Sequence, residues 1–148
     1  MLTRLKLKNF KSWSDTRDLA LKPITGFFGA NSSGKTSLLQ ALLLLKQTSD
    51  SADRGLALQF GEKSSLVDLG DFRSVIHGHA EGSELLFELD WQVKKPFLVT
   101  DPKGRNKQVI QDNRLGFMTT VKGENGSSGK ALRLVVPQFS YRVGDMVV

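Results

Sequence analysis

Residues 29–36 constrain this chain more than any other stretch. Gly29-Ala30-Asn31-Ser32-Ser33-Gly34-Lys35-Thr36 fits G-x-x-x-x-G-K-[ST] at every specified position. In a chain of 148 residues a chance match is on the order of one in a hundred or rarer. The flanks fit too. The apolar run Ile24-Thr25-Gly26-Phe27-Phe28 predicts a buried strand, and Ser37 to Gln47, rich in leucine, predicts a helix ending near Thr48. Strand, glycine loop, helix is the order that a phosphate-binding loop requires. Gly29 and Gly34 let the backbone close into a tight ring with N–H groups turned inward. Those donors and the positive end of the following helix suit a triphosphate. Lys35 is placed to reach the β- and γ-phosphates as a point charge, and Thr36 offers a hydroxyl to Mg²⁺. The expected bound species are therefore ATP and Mg²⁺. The expected phosphate contacts are Gly29, Asn31, Ser32, Ser33, Gly34, Lys35, Thr36 and Ser37.

The composition suits one domain, or part of a larger one, with 39% hydrophobic and 24% charged residues. The absence of cysteine excludes disulfides and thiolate metal sites and suits a reducing compartment. No stretch approaches the length of a membrane span, and the start has no signal-peptide pattern, so a cytoplasmic chain without a membrane partner is expected. The net charge of +6 is compatible with nucleic acid, and equally with a generally basic surface.

Periodicity places the other elements. Leu5 and Leu7 alternate with Arg4, Lys6 and Lys8, which predicts a half-buried strand; Leu19-Ala20-Leu21 resumes strand after a polar turn. The helix after the loop is apolar nearly all round and reads as buried. Leu56–Phe60 and Ser65–Val67 read as short strands. Asp71 to Gly78 reads as one or two helical turns capped by Asp71 and stopped by Gly78. Glu84 to Trp91 alternates, with Leu85, Phe87, Leu89 and Trp91 on one face. Strands are also expected over 107–121, 130–136 and 139–148, with Pro96, Pro102 and Gly104 interrupting the region between.

Three features imitate functional motifs. Gly123 to Lys130 resembles a second phosphate loop, but its glycine spacing is one residue too long and Ala131 follows the lysine. A hairpin loop with Asn125-Gly126 as its turn accounts for it better. Leu85 to Asp90 resembles an acidic Mg²⁺-binding strand, but Glu88 interrupts the apolar run, as on a half-exposed antiparallel strand. His77 and His79 have no third ligand close in sequence and read as a solvated loop.

Leu5-Lys6-Leu7-Lys8-Asn9-Phe10-Lys11-Ser12-Trp13, followed by a second strand and a loop rich in Asn and Ser, resembles the opening of ABC-type ATPase heads of the SMC, RecF and OLD kind. Leu66 to Gly78 is similar to a stretch of bacterial AAA-family ATPases of the OLD-like group, many of which serve phage defence beside a nuclease. The resemblance covers the first 78 residues. It implies a P-loop NTPase of α/β class, in which residues 1–148 form an N-terminal nucleotide-binding lobe. Within it, 1–50 carry strands, phosphate loop and helix, and 51–148 form a β-rich, largely antiparallel part around that one helix. It places Lys11 and Ser12 near the nucleotide. Heads of this kind also use a signature motif, a strand ending in Asp-Glu and a distal His, none of which is found here. A C-terminal lobe is thus expected to be absent, and no catalytic residue is identified. The implied function is ATP binding, with hydrolysis needing a C-terminal lobe or second ATPase subunit. A nuclease effector and nucleic acid are further partners that the resemblance suggests, the latter through Lys94, Lys95, Lys103, Arg105 and Lys107. Two alternatives remain open: a nucleotide-sensing module without hydrolysis, and a P-loop phosphotransferase. The strands expected after Gly55 argue against the helical lid that a phosphotransferase would need.

Overall fold

Alternating side chains near the amino terminus build the strand around which the sheet forms. In the computed structural model β1 (Leu2–Phe10) turns Leu5 and Leu7 to one face, where both are buried, and Arg4, Lys6 and Lys8 to the other. The structure describes all residues except 63, 80–81, 101–107, 125–131 and 148, and of 97, 99–100 and 108–110 the backbone alone. β2 (Trp13–Asp15) and β3 (Leu19–Ala20) pair with one edge of β1. β4 (Glu84–Thr100) pairs with the other edge. β5 (Gln108–Glu124), β6 (Arg133–Val143) and β7 (Met146–Val147) extend the sheet by successive antiparallel neighbours. The order is β2-β1-β4-β5-β6-β7, with β3 also paired to β1. Between β3 and β4 lie the phosphate loop, α1 (Lys35–Asp50), α2 (Phe72–Val75) and a 3₁₀ turn at His77–His79. The expected α/β architecture is therefore a mostly antiparallel sheet with one long helix.

The register explains the core. Leu89 faces Leu5, Phe87 faces Leu7, and Val121 faces Leu85, so their side chains share an apolar inner face. Against it α1 lays Leu38, Ala41 and Leu44. Asn9, at φ 56°, turns the end of β1 so that Phe10 also enters the core and meets Phe87 edge-on, 6.0 Å between ring centroids. Each fully buried side chain of this size contributes roughly 1.5–3 kcal/mol relative to exposure. The outer face is charged and internally satisfied. Arg4 binds Asp18 and Asp90 at 2.6 Å each and Glu88 at 2.7 Å, and Arg142 binds Asp90 at 2.7 Å. Glu88 and Asp90 thus serve a sheet-face ion network, on the half-exposed strand that their alternation predicts.

Several expected elements differ. α1 is longer than its leucine run suggests, and it is buried along one face only; Leu39 stays 54% exposed. One sheet packs it, and its other face meets no described strand. Ile24–Phe28 is not a strand: Ile24 is 93% and Phe28 94% exposed. This segment pairs with no described strand, and strand hydrogen bonds need a neighbour. Leu56–Phe60 and Ser65–Val67 are also loop, because their backbone groups bond to α1 side chains instead. Gln47 donates through Nε2 to the Gln59 carbonyl and accepts the Val67 N–H at 3.1 Å, while the Gln59 N–H donates to Thr48 Oγ1 at 3.0 Å.

The prolines punctuate less than expected. β4 continues through Pro96 with a register shift between Gln92 and Phe97. β6 runs through Pro137, joining segments expected to be separate, next to a second shift between Thr120 and Lys122 of its partner. Irregular pairing is where a residue lacking an N–H is tolerated. The expected Asn125-Gly126 turn lies outside the described residues; on either side of it Glu124 pairs with Arg133.

Candidate functional site

The phosphate loop meets the sheet at the amino-terminal end of α1. Its backbone turns through Ser32 at φ 62° and Gly34 at φ 87°, and the Ser33 N–H donates to the Ala30 carbonyl at 3.3 Å. Asn31, Ser32, Ser33 and Thr36 are exposed, whereas Ser37 is buried where α1 meets the core. Lys35 folds back over the loop. Its ammonium group donates to the carbonyls of Gly29 at 2.9 Å and Ala30 at 2.5 Å, and to Ser33 Oγ at 3.4 Å. These neutral acceptors are weaker partners for an ammonium than a phosphate oxygen.

The helix start is left open for an anion. Gly34 is the N-cap, no side chain caps α1, and no acidic residue lies in its first turn. The first N–H groups of a helix lack intrahelical acceptors, and the helix dipole adds positive potential there. These donors, the Lys35 ammonium group and the exposed Thr36 hydroxyl fit the phosphates of ATP and a largely hydrated Mg²⁺. Gly34 is required twice over. Its φ disfavours any L side chain, and a Cβ there would stand 2.8 Å from Trp13 Nε1 and 3.1 Å from Ser12 Cβ.

The turn between β1 and β2 therefore lies against the loop. Ser12, which the family resemblance places near the nucleotide, touches Gly34. Lys11 lies further along α1, where its ammonium group donates to Gln40 Oε1 at 2.8 Å. The Lys11 backbone is fixed from the other side, its N–H donating to the Val75 carbonyl at 2.6 Å and its carbonyl meeting His77 Nδ1 at 2.8 Å. His79 Nδ1 meets the Arg73 carbonyl at 2.9 Å. Among the described residues no three His, Cys, Asp or Glu side chains gather as a metal site. Glu88 and Asp90 face away from α1, on the outer side of the sheet.

Trp13 is the residue that sequence reasoning missed. Its indole N–H donates to the Gly34 carbonyl at 3.0 Å. The available signal was an amphipathic aromatic directly after the Lys-Ser turn, since a partly buried indole N–H needs an acceptor. Nothing in the spacing names an acceptor in the loop. Of the basic residues considered for nucleic acid, Lys94 and Lys95 are exposed on β4, and 103, 105 and 107 lie outside the described residues. Among the described residues no helix is long and apolar enough to cross a membrane.

The sequence matches the AAA ATPase domain over residues 1–115, a span that contains β1, the phosphate loop and α1. It is also similar to the DNA replication and repair protein RecF of Natranaerobius thermophilus, 52% identical over 44 residues, which are 30% of this chain and 11% of that protein. RecF of Enterobacter sp. and of Shigella dysenteriae serotype 1 are each 36% identical over 84 residues, 56% of this chain and 21% of theirs. The chain thus spans about a fifth or less of the length of these curated relatives. With the larger part of its length inside the family match, the chain belongs to the AAA ATPase domain family.

Proposed function

We propose that this chain is the nucleotide-binding lobe of an ATPase head of the RecF, SMC and OLD kind. It binds ATP with Mg²⁺ at residues 29–37, and hydrolysis draws on groups outside it. The observation that carries the reading is the open amino-terminal end of α1, with Lys35 folded over the loop and no side-chain cap competing for the N–H donors. The Thr36 hydroxyl would hold Mg²⁺, which would supply positive charge against that of the phosphates. The chain's own part is to hold the phosphates: backbone N–H groups from the loop and the Lys35 ammonium group bind them, and Ser12 borders the site. Attack by water needs a positioned nucleophile as well, and Glu88 and Asp90, the acids of the strand that imitates a Mg²⁺-binding motif, lie on the opposite face of the sheet in ion pairs. A C-terminal lobe or second subunit supplying that group is part of the proposal.

Two assays separate binding from turnover. A fluorescent ATP analogue with Mg²⁺ should bind this chain and be displaced by ATP. Phosphate release by the same preparation should stay near background and rise when the chain is joined to, or mixed with, the remainder of its ATPase. Failure to bind refutes the site; rapid turnover by this chain alone refutes the division of labour.

A further inference from the structure

We propose that Trp13 is a positioning residue for the phosphate site, aiming the Lys35 backbone N–H at the bound phosphate by holding the Gly34 carbonyl. The proposal rests on the nucleotide reading above and goes beyond it, to a residue outside the loop motif.

Trp13 opens β2 and pairs with Phe10 across the Lys11-Ser12 turn. That turn is held by β1, by α1 through the Lys11–Gln40 bond, and by the α2 segment through Val75 and His77. Such a base keeps the indole in one place. From it the indole N–H reaches the Gly34 carbonyl at 3.0 Å, and the same carbonyl accepts the Ser37 N–H at 3.1 Å. Two donors thus fix the direction of one C=O. The peptide bond between Gly34 and Lys35 is planar and trans, so its N–H points opposite to its C=O. Fixing the Gly34 oxygen towards Trp13 and the helix interior turns the Lys35 N–H the other way, into the mouth of the loop. Gly34 alone would not secure this, because glycine is the residue whose backbone turns most easily. The chain uses a glycine where close approach and φ 87° demand it, and the indole removes the freedom that glycine brings.

The test compares the unaltered chain with Trp13→Phe, and with a chain carrying 3-benzothienylalanine at position 13. The latter keeps the bicyclic shape and replaces the N–H by sulfur, so that packing is retained if phenylalanine proves too small. Binding of MgATP and of inorganic tripolyphosphate is measured by calorimetry, beside the melting temperature without ligand. Misaligning one donor to an anion without removing it forfeits part of a charged hydrogen bond and predicts roughly five- to tenfold weaker binding. The factor should be the same for ATP and tripolyphosphate, with the melting temperature of the benzothienyl protein nearly unchanged. Unchanged affinity in the benzothienyl protein would overturn the proposal. A loss for ATP but not for tripolyphosphate would also overturn it, since Trp13 would then act at the nucleoside. If the unaltered chain binds neither ligand, the nucleotide reading itself fails and this proposal with it.

Discussion

The two flanks of the phosphate loop are built to different degrees. On the carboxy-terminal side Gly34 passes into α1 under contact from Ser12 and Trp13, and α1 is seated on the sheet through Leu38, Ala41 and Leu44. On the amino-terminal side Ile24–Phe28 has the apolar composition of a buried strand, yet it leaves Ile24 and Phe28 almost fully exposed. A helix satisfies its own backbone, so a local motif is enough to specify it once one face has somewhere to pack. A strand is specified only together with its neighbour. The half of the site that depends on local geometry is complete here. The half that depends on a partner strand is not.

This contrast predicts unequal responses to similar substitutions. The largest effect is expected in the seat of α1. Leu44 is fully buried, and Leu44→Asp would strand a carboxylate in the core, at a cost of several kcal/mol against a typical total of about 5–15 kcal/mol. Cooperative thermal unfolding should disappear. Phe28→Ser, on the other flank, should change stability by no more than about 0.5 kcal/mol, as exposed substitutions usually do. A large loss from Phe28→Ser would show that the amino-terminal flank is packed after all.

A glycine pair makes the same comparison at smaller scale. Gly34→Ala places a methyl group 2.8 Å from Trp13 Nε1 at φ 87°, and should cost about 1–3 kcal/mol and abolish nucleotide binding. Gly26→Ala meets only the ring of exposed Phe28, also at 2.8 Å, and that ring can swing aside. Denaturant titration of both proteins should find a loss in the first alone. Equal losses would remove the asymmetry.

The smallest effect lies in the support behind the carboxy-terminal flank. Asp71 caps α2, whose carbonyl at Val75 holds the Lys11 N–H. The Ser74 hydroxyl and then the Ser74 N–H, both donating to the Asp71 carboxylate, hold its pKa below the usual range. Because the folded pKa is depressed, this stabilisation is complete above the unfolded value near 3.9 and is lost as pH falls through the folded value. Asp71→Ala should cost about 0.5–1 kcal/mol at neutral pH. The difference from the unaltered chain should shrink below about pH 4. A difference that persisted at pH 2 would assign the effect to something other than the ionised cap.

What the sequence made legible follows the same division. The loop, α1, the Asp71 cap and the alternation of β1 and β4 each rest on contacts within a few residues or on a two-residue period, and all are present. The strands misjudged at Ile24–Phe28, Leu56–Phe60 and Ser65–Val67 are apolar runs whose hydrogen-bond partners could not be read from the runs themselves. For the latter two the partners are Gln47 and Thr48 on the helix. Pro96 looked like a strand break, and 130–136 and 139–148 like separate strands, because the register shifts that admit Pro96 and Pro137 depend on the neighbouring strand. Trp13 was missed for a related reason: its acceptor lies across the fold, in a different element.

The central claim is that residues 29–37 bind a nucleoside triphosphate, with Lys35 as the principal side-chain contact. Titration calorimetry of MgATP into the unaltered chain and into Lys35→Ala tests it most directly. A charge-assisted phosphate contact is worth about 1.5–3 kcal/mol, or about a tenfold to hundredfold change in affinity. The account predicts saturable binding by the unaltered chain and at least a tenfold loss in Lys35→Ala, with the same melting temperature for both without nucleotide. Equal affinity of two folded proteins would contradict it.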